Sequence, residues 1–463
     1  MNRKLMIIMA AAGLALCLPC GAQAQMGKQP ASSPTTLSYC VVDTGQAKIF
    51  SDSAQLLKAP RPGEAFFGQN GFYQGQQPSY RDNKDGTISD LNTGLTWVKA
   101  RGEKVTWKDA LAGASTCRVG GHSDWRMPTI KELYSLINFN GSGATVGMDR
   151  GPARKNQAQS TPYIDTRFFD FKYGDQSKGE RLIDCQDWSA TTYVGTTMGG
   201  NPTAFGVNFA DGRIKGYPKV RPGPGGAAGP NGENMLFVRY VRGNPSYGKN
   251  DFHDNDDGTI SDQATGLMWS RDDSGKGMNW SDSLAWVQAK NKERYLGHDD
   301  WRLPNAKELQ SIVDYTRAPQ ATDVARQGPA IAPVFHISKL TDGDYPYFWT
   351  GTTHLDGPPD RQACSAAYVA FGRALGWMQF PPGRGDYKLM DVHGAGAQRS
   401  DPKSGDPAEF PHGRGPQGDV IRILNYVRLV RNIDPKAVKL VAPDLTPLPG
   451  PAGGREPPPQ RLP

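Results

Sequence analysis

Four sequence blocks in the first half of this chain return, in the same order, in the second half. Asp85 and Asp257, at matching positions in the first pair of blocks, are 172 residues apart (257 − 85). The four pairs of blocks are Tyr80–Trp97 with Phe252–Trp269, Gly120–Phe139 with Leu296–Tyr315, Trp188–Tyr193 with Trp349–His354, and Phe237–Arg242 with Tyr426–Arg431. Because the order is preserved across all four pairs, the chain contains two copies of one module.

The duplication and the two chain ends divide the 463 residues into five segments. Residues 1–24 have the basic, apolar and small-residue regions of a cleaved secretory signal. Residues 25–78 form an extension with an Asp-Thr-Gly-Gln segment. Residues 79–243 are copy 1 and residues 244–433 are copy 2. Residues 434–463 are a Pro-rich tail, which we interpret as disordered; the alternative is a docking peptide for a partner.

The signal segment predicts an exported protein of the periplasm, the cell surface or the extracellular space, with lipidation at Cys20 as the alternative to a soluble product. The apolar run Leu5–Leu18 is too short to cross a bilayer, and no later segment has 18 uninterrupted apolar residues, so we expect no membrane span. A net charge of +7 without clustering does not fit a dedicated nucleic-acid binder, so we expect no nucleic acid as partner.

Removal of the signal leaves four cysteines, which are Cys40, Cys117, Cys185 and Cys364. An even number in an exported chain predicts two disulfides. Four cysteines allow three pairings, and the sequence does not choose among them. No two of them have the C-x-x-C spacing of a zinc knuckle or of a redox pair.

Local patterns predict a compact α+β module with two helices packed on a mostly antiparallel sheet and with long loops. Asp-Gly followed by Thr-Ile-Ser marks a tight turn that leads into a strand. Thr129 with Glu132, and Asn305 with Glu308, have the spacing of capping boxes at helix starts.

The combination of DNxDGTISDxxTGLxW, DWR(M/L)PxxKEL and a closing VRxVR resembles the Lcl C-terminal domain family, which is named after a collagen-like bacterial adhesin. The resemblance implies two tandem C-type-lectin-like domains, export from a bacterium and, for the adhesin member, binding of sulfated glycans. Many members carry a cysteine in the first helix and another in the last strand. Cys117 fits the helix position, but Lys290 stands near it in copy 2 and neither closing strand has a cysteine, so the family's intradomain disulfide cannot be carried over.

Oxygen-bearing side chains are concentrated in the Asp-rich turns, at Asp82, Asn83, Asp85, Asp254, Asn255 and Asp257. They are the tentative ligands of a Ca²⁺ ion, which takes 6–8 oxygen atoms. The favoured alternative is a hairpin turn whose polar side chains bond their own backbone, since Arg81 and His253 stand where an EF-hand would start. We therefore expect no cofactor, with Ca²⁺ as the alternative.

A second group of repeated residues is predicted to build the cores: Trp97, Trp125, Arg126, Glu132, Trp188, Trp269, Trp301, Arg302, Glu308 and Trp349. His122 and His298 also recur at matching positions. Without a second histidine four residues on, we interpret them as turn or cap partners and not as metal or catalytic groups.

A sulfated glycan would need basic side chains that converge on one face. The best local cluster is Arg213, Lys215, Lys219 and Arg221, in a long loop before the last strand of copy 1; the alternative is a solvated loop. The tripeptides typical of Ca²⁺-dependent lectins, Glu-Pro-Asn and Trp-Asn-Asp, are absent from the sequence.

These patterns predict a non-enzymatic, adhesin-like binding module whose partner is a polysaccharide, a sulfated glycan or another surface ligand. One alternative is a structural component of the cell envelope. The other is an oxidase of the formylglycine-generating type, which would need a pair of nearby cysteines, whereas the later half of copy 2 has only Cys364. The sequence leaves the oligomeric state open.

Overall fold

The computed structural model describes residues 37–143, 160–220, 232–356, 361–379, 384–415 and 417–448. From Leu37 onward the chain clusters into one compact unit. The predicted signal (1–24), Arg221 and the end of the predicted tail lie outside the described residues. Within the described ranges, no helix is both long and apolar enough to cross a lipid bilayer.

The extension and copy 1 contain strands β1 to β10 and two helices. In chain order these are β1 (Tyr73–Gln74), β2 (Tyr80–Asp82), β3 (Thr87–Asp90), β4 (Leu95–Val98), β5 (Val105–Thr106), α1 (Trp107–Gly113), α2 (Ile130–Ser135), β6 (Asp187–Thr197), β7 (Asn201–Asn208), β8 (Arg213–Pro218), β9 (Met235–Leu236) and β10 (Val241–Gly243).

Copy 2 and the tail contain the remaining helices and strands. In chain order these are β11 (Phe252–Asp254), β12 (Thr259–Asp262), β13 (Leu267–Ser270), α3 (Trp280–Lys292), α4 (Ala306–Ser311), β14 (Tyr347–His354), β15 (Ser365–Ala370), β16 (Leu375–Gln379), β17 (Tyr387–Asp391), β18 (Gln398–Pro402), β19 (Val430–Asn432) and β20 (Lys439–Leu440). Short 3-10 helices lie at Asn70–Phe72, Ala114–Thr116, Val119–Gly121, Gln176–Lys178, Tyr295–Gly297, Val324–Arg326 and Pro407–Glu409.

The predicted capping boxes are confirmed at the starts of α2 and α4. The Thr129 side chain accepts a hydrogen bond from the Glu132 backbone N–H, and the Glu132 carboxylate accepts one from the Thr129 N–H. Asn305 and Glu308 repeat this exchange. These contacts satisfy donors that a helix start otherwise leaves free, which explains why helices of only six residues form here.

Each copy builds one small antiparallel sheet of four strands. The orders are β10-β4-β3-β2 in copy 1 and β11-β12-β13-β19 in copy 2. In both sheets the closing motif pairs with the strand that carries the buried tryptophan: Val241 lies opposite Trp97, and Val430 lies opposite Trp269. The two ends of each repeat therefore meet in one sheet.

The largest sheet belongs to both copies. Its order is β14-β15-β18-β8-β7-β6, so that three strands come from each copy, and the copies join where Gln398 of β18 pairs with Ile214 of β8. The mixed α+β class with mostly antiparallel sheets is confirmed. The largest apolar cluster also contains side chains of both copies, so the two repeats share part of their interior. Without β18, strand β8 would present an unpaired edge, which explains why the copies fuse.

Two lysines of the repeated Lys-Glu-Leu motif tie α2 to α4. Lys131 Nζ donates to the carbonyl oxygen of Ser311, the last residue of α4, at 2.6 Å. Lys307 Nζ donates to the carbonyl oxygen of Ser135, the last residue of α2, at 2.8 Å. Carbonyls at helix ends lack partners within the helix and attract cations. The lysine of each copy therefore supplies a hydrogen-bond donor to the helix end of the other copy.

The extension and the tail add further connections. Gln46 Nε2 donates to the carbonyl oxygens of Phe139 in copy 1 and Thr353 in copy 2, at 3.2 and 2.8 Å. Strand β20 pairs with β1, and Lys48 forms an ion pair with Asp444 at 2.7 Å. The prediction of a disordered tail is wrong for residues 434–448, because backbone pairing with the extension compensates for the Pro-rich sequence. Residues 449–463 lie outside the described residues.

Candidate functional site

The residues predicted to build the cores lie in the interior, except for Arg126, which is half-buried. Five tryptophans are completely buried and Trp125 is nearly so; the five are Trp97, Trp188, Trp269, Trp301 and Trp349. Arg126 donates to both carboxylate oxygens of Glu132 at 2.6 Å, and Arg302 forms an ion pair with Glu308 at 2.8 Å. These contacts fix the start of each capped helix.

The closing VRxVR motif contains two buried arginines that the sequence did not single out. Arg239 Nη1 donates to the carbonyl oxygen of Val98 at 2.9 Å, and Arg428 Nη1 donates to that of Ser270 at 2.8 Å. Burial lowers the pKa of each guanidinium to about 10. The sequence signal for a structural role was that an arginine stands at the same place in both closing blocks.

The Asp-rich turns satisfy their own polar groups. Asp85 Oδ1 accepts hydrogen bonds from the Thr87 N–H and hydroxyl at 2.9 and 2.6 Å, and Asp257 makes the same contacts with Thr259. Asn83 and Asn255, together with Asp82 and Asp254, bond neighbouring turn or strand groups in the same way. Across the described ranges, no three His, Cys, Asp or Glu side chains are grouped so as to hold a metal ion. In this structure the side chains predicted as tentative Ca²⁺ ligands bond groups of the turns and adjoining strands.

The two repeated histidines lie against the repeated tryptophans. The His122 ring meets Trp125 edge-on with centroids 6.1 Å apart, and His298 meets Trp301 at 5.6 Å. Burial lowers the pKa of His298. Both copies therefore have the same edge-on contact between a histidine and a tryptophan.

The basic cluster predicted for copy 1 does not form an exposed face. Arg213 and Lys215 lie in strand β8, where Lys215 Nζ is 2.6 Å from Asp211 Oδ2 and Arg213 pairs with Asp356. Lys219 is partly exposed and lies over the Trp107 ring at 3.7 Å. The loop prediction is therefore wrong for Arg213 and Lys215, because pairing with β7 and β18 places them between two layers of the protein.

The four predicted disulfide cysteines are free thiols. They lie in separate surroundings: Cys185 is buried against Asn208, whereas the backbone carbonyl of Cys364 accepts from Lys403 N–H. Burial raises the pKa of Cys40 to about 11 and also raises that of Cys364. The structure shows none of the three possible pairings of these four cysteines, so the two disulfides stay a prediction.

A buried layer of charged groups covers the junction of β8 and β18. Arg399 of β18 and His393 both contact the carboxylate of Asp419, and the His393 Nε2–Asp419 Oδ1 distance is 2.9 Å. Lys215 of β8 and Asp211, two residues before that strand, complete the layer. The cations and carboxylates of this layer pair with each other, so it attaches the segment that follows β16 to the shared sheet.

That segment is the main difference between the copies. From the tryptophan of the third block to the closing motif, copy 1 has 49 residues (237 − 188) and copy 2 has 77 (426 − 349). The additional chain includes β17 and β18. Strand β16 pairs with β17 on one side, and on the other side the Trp377 N–H donates to the Gly418 carbonyl at 2.8 Å.

The outer part of this segment carries aromatic rings at the surface. Tyr387 is 38% exposed and its ring stacks on exposed His412, with centroids 3.9 Å apart and planes 6° from parallel. Trp377 meets His412 edge-on at 5.9 Å, and Arg414 lies 4.4 Å above the ring of Phe410. We call Trp377, Tyr387 and His412 the aromatic platform.

Charged side chains at the surface of residues 384–415 balance in sign. The partly or fully exposed charged side chains of residues 384–415 are Arg384, Asp386, Lys388, Asp406, Glu409 and Arg414, that is, three cations and three carboxylates. The other charged residues of this stretch are buried.

A cleft of about 250 Å³ lies elsewhere, between α2 and α4. The two lysines in its wall, Lys131 and Lys307, already donate to backbone carbonyls.

The comparison with protein families decides the identity of the repeated module. The model of the Lcl C-terminal domain matches residues 86–224 and again residues 258–385. The chain belongs to the Lcl C-terminal domain family. It carries two tandem copies of that domain, as the resemblance implied. No curated protein and no solved structure matches the chain.

The second match ends at residue 385, so that Tyr387 and His412 of the platform lie beyond it. Sequence reasoning missed the platform because it followed what the two copies share. The available signal was the greater length of copy 2, together with Trp377 and Tyr387 on either side of a Pro-Pro-Gly sequence.

Proposed function

We propose that this protein is an exported, non-enzymatic binding module that recognises a glycan at a cell surface or in the extracellular space, as an adhesin does. The observation that carries the proposal is the inserted segment of copy 2, which exposes aromatic side chains on a base attached to the shared sheet. Exposed aromatic groups on a rigid support are typical of recognition surfaces. The relation of the fold to C-type lectins belongs to the same proposal.

The absence of catalysis is part of the proposal and is supported by the state of the reactive groups. An oxidase of the formylglycine-generating type would need an activated thiolate, whereas burial raises the pKa of the Cys364 thiol. The buried histidines His354 and His393 have pKa values lowered by burial, so both are neutral at physiological pH. His354 contacts the Asp211 carbonyl of copy 1, which joins the copies, and His393 contacts Asp419 within copy 2.

The test is a polysaccharide array probed with the full chain, with and without chelator. We expect saturable binding to at least one polysaccharide, unchanged by chelator, and no change in the polysaccharide on chromatography after long incubation. The heat-unfolded chain is the control. Failure to bind any polysaccharide, together with sedimentation with envelope fractions, would favour a structural component of the envelope instead.

A further inference from the structure

The aromatic platform offers ring surface and few unpaired charges. Tyr387 keeps 38% of its surface exposed although one ring face lies against His412. Gln379, directly opposite Tyr387 across the hairpin, is partly exposed and donates through Nε2 to the Gly385 carbonyl. An exposed ring beside a fixed polar group is the arrangement that Tyr and Trp use where one side of a ligand is apolar and the other is hydrated.

Hexopyranoses with mostly equatorial hydroxyls have this two-sided chemistry. Their axial C–H groups form apolar faces that stack on aromatic rings, and their hydroxyls accept and donate hydrogen bonds around the rim. A ligand of this kind needs little net charge in its binding site.

The charge distribution selects against a sulfated ligand at this site. In residues 384–415, the stretch that carries Tyr387 and His412, three exposed cations are balanced by three exposed carboxylates. The basic side chains that could have attracted sulfate, Arg213 and Lys215, are already paired with aspartates in the interior. A sulfated chain would need an excess of cations, and in this stretch carboxylates equal the cations in number.

We propose that the aromatic platform of Trp377, Tyr387 and His412 binds neutral polysaccharides of equatorial hexopyranoses by stacking, and not sulfated glycans. This inference rests on the proposed glycan-binding function and names the class of glycan. It also assigns the site to the inserted segment of copy 2 and not to the repeated module.

The test compares the full chain with point variants in calorimetric titrations of cello-, manno- and laminari-oligosaccharides, heparin and alginate oligosaccharides. We expect binding to at least one neutral oligosaccharide that changes less than about twofold between low and high salt. Tyr387→Ala should weaken it by about tenfold. Tyr387→Phe keeps the ring and should stay within about twofold of the unmodified chain.

Two further variants keep the test decisive. Val324→Ala changes a side chain that is 76% exposed and outside the platform, and it should leave binding unchanged. His412→Ala removes the stacking partner of Tyr387 and should also weaken binding. It provides a second reading if Tyr387→Ala fails to fold. Salt-sensitive binding to heparin alone, unaffected by these variants, would overturn the platform assignment and leave the glycan-binding function standing. Binding to none of the probes would overturn both.

Discussion

Strands β8 and β16 hold equivalent places in the two copies and have different surroundings. Arg213-Ile-Lys-Gly-Tyr217 aligns with Arg373-Ala-Leu-Gly-Trp377 at a spacing of 160 residues (373 − 213). Strand β8 stays in the shared sheet between β7 and β18, whereas β16 pairs with β17 in a separate hairpin. In copy 1, β8 lies beside β7 in the shared sheet. In copy 2, β18 of the inserted segment takes the corresponding place beside β15, and β16 lies outside the sheet.

The two strands still share one local requirement. A Cβ atom on Gly216 would lie 2.6 Å from the His393 carbonyl oxygen, and one on Gly376 would lie 2.4 Å from that of Gln417. In both copies the inserted segment therefore passes directly over a glycine of this strand. A duplicated module can thus keep its local geometry while a neighbouring insertion changes the sheet to which a strand belongs.

The largest expected effect comes from the buried charges on β8. Lys215→Leu gives this position the residue that copy 2 has at Leu375, but it removes the closest cation from buried Asp211. Breaking a buried ion pair leaves a charge without compensation, so we expect a loss of about 3 kcal/mol in the free energy of unfolding. The measurement is denaturant unfolding followed by tryptophan fluorescence.

Two comparisons qualify this prediction. Lys388→Leu changes an exposed lysine of β17 and should leave the unfolding free energy nearly unchanged. The double variant Lys215→Leu with Asp211→Asn removes both charges and should recover part of the loss. An equal loss in the single and double variants would mean that Lys215 contributes by packing and not by its charge.

The features that the sequence predicted correctly are local. Thr129 with Glu132 lies within one helical turn, and Asp85 with Thr87 lies within one hairpin turn, so spacing alone identified the caps and the turns. The family followed from motifs of the same kind. Local patterns were sufficient wherever both partners lie within a few residues.

The features that the sequence did not predict depend on partners far along the chain. Gln398 meets Ile214 across 184 residues (398 − 214), and no repeat signal marks β18 because it comes from the insertion. Lys215 resembles a surface residue until β18 and the inserted segment cover it. The pairing of β20 with β1 joins the two ends of the described chain. The platform was missed for the same reason, since His412 reaches Tyr387 only through the folded insertion.

The attachment of the hairpin to copy 1 should depend on pH. The Asp391 carboxylate at the end of β17 accepts from the Tyr193 hydroxyl at 2.7 Å and from the Gly394 N–H at 2.8 Å. Burial raises its pKa to about 6, with Asp344 adding to the rise and Arg373 opposing it. In the unfolded chain the pKa is about 4, so the folded state binds the proton more tightly and stability falls as pH rises from about 4 to 6. We expect this group to contribute on the order of 2 kcal/mol.

Asp391→Asn should flatten that decline, and thermal unfolding at a series of pH values measures it. Asp401 also has a pKa raised to about 6 by burial and remains in the variant, so part of the slope should persist. An unchanged slope in Asp391→Asn would show that Asp391 ionises in the folded protein as it does in the unfolded chain.

The smallest expected effect concerns the turns, where the two copies are most alike. Asn83 Nδ2 donates to Thr87 Oγ1 at 2.9 Å, and Asn255 Nδ2 donates to Thr259 Oγ1 at 2.8 Å. Asn83→Ala and Asn255→Ala each remove this partly buried contact, so each should lower the free energy of unfolding by about 1 kcal/mol, and by the same amount within error. Calorimetry with and without Ca²⁺ completes the measurement. If these side chains serve the turns alone, Ca²⁺ should leave the unfolding temperature of all three proteins unchanged. The opposite result would be a Ca²⁺-dependent rise in the unfolding temperature of the unmodified chain that is lost in one variant only. It would show that a single copy binds the ion, so that two turns with the same hydrogen bonds differ in their affinity for Ca²⁺.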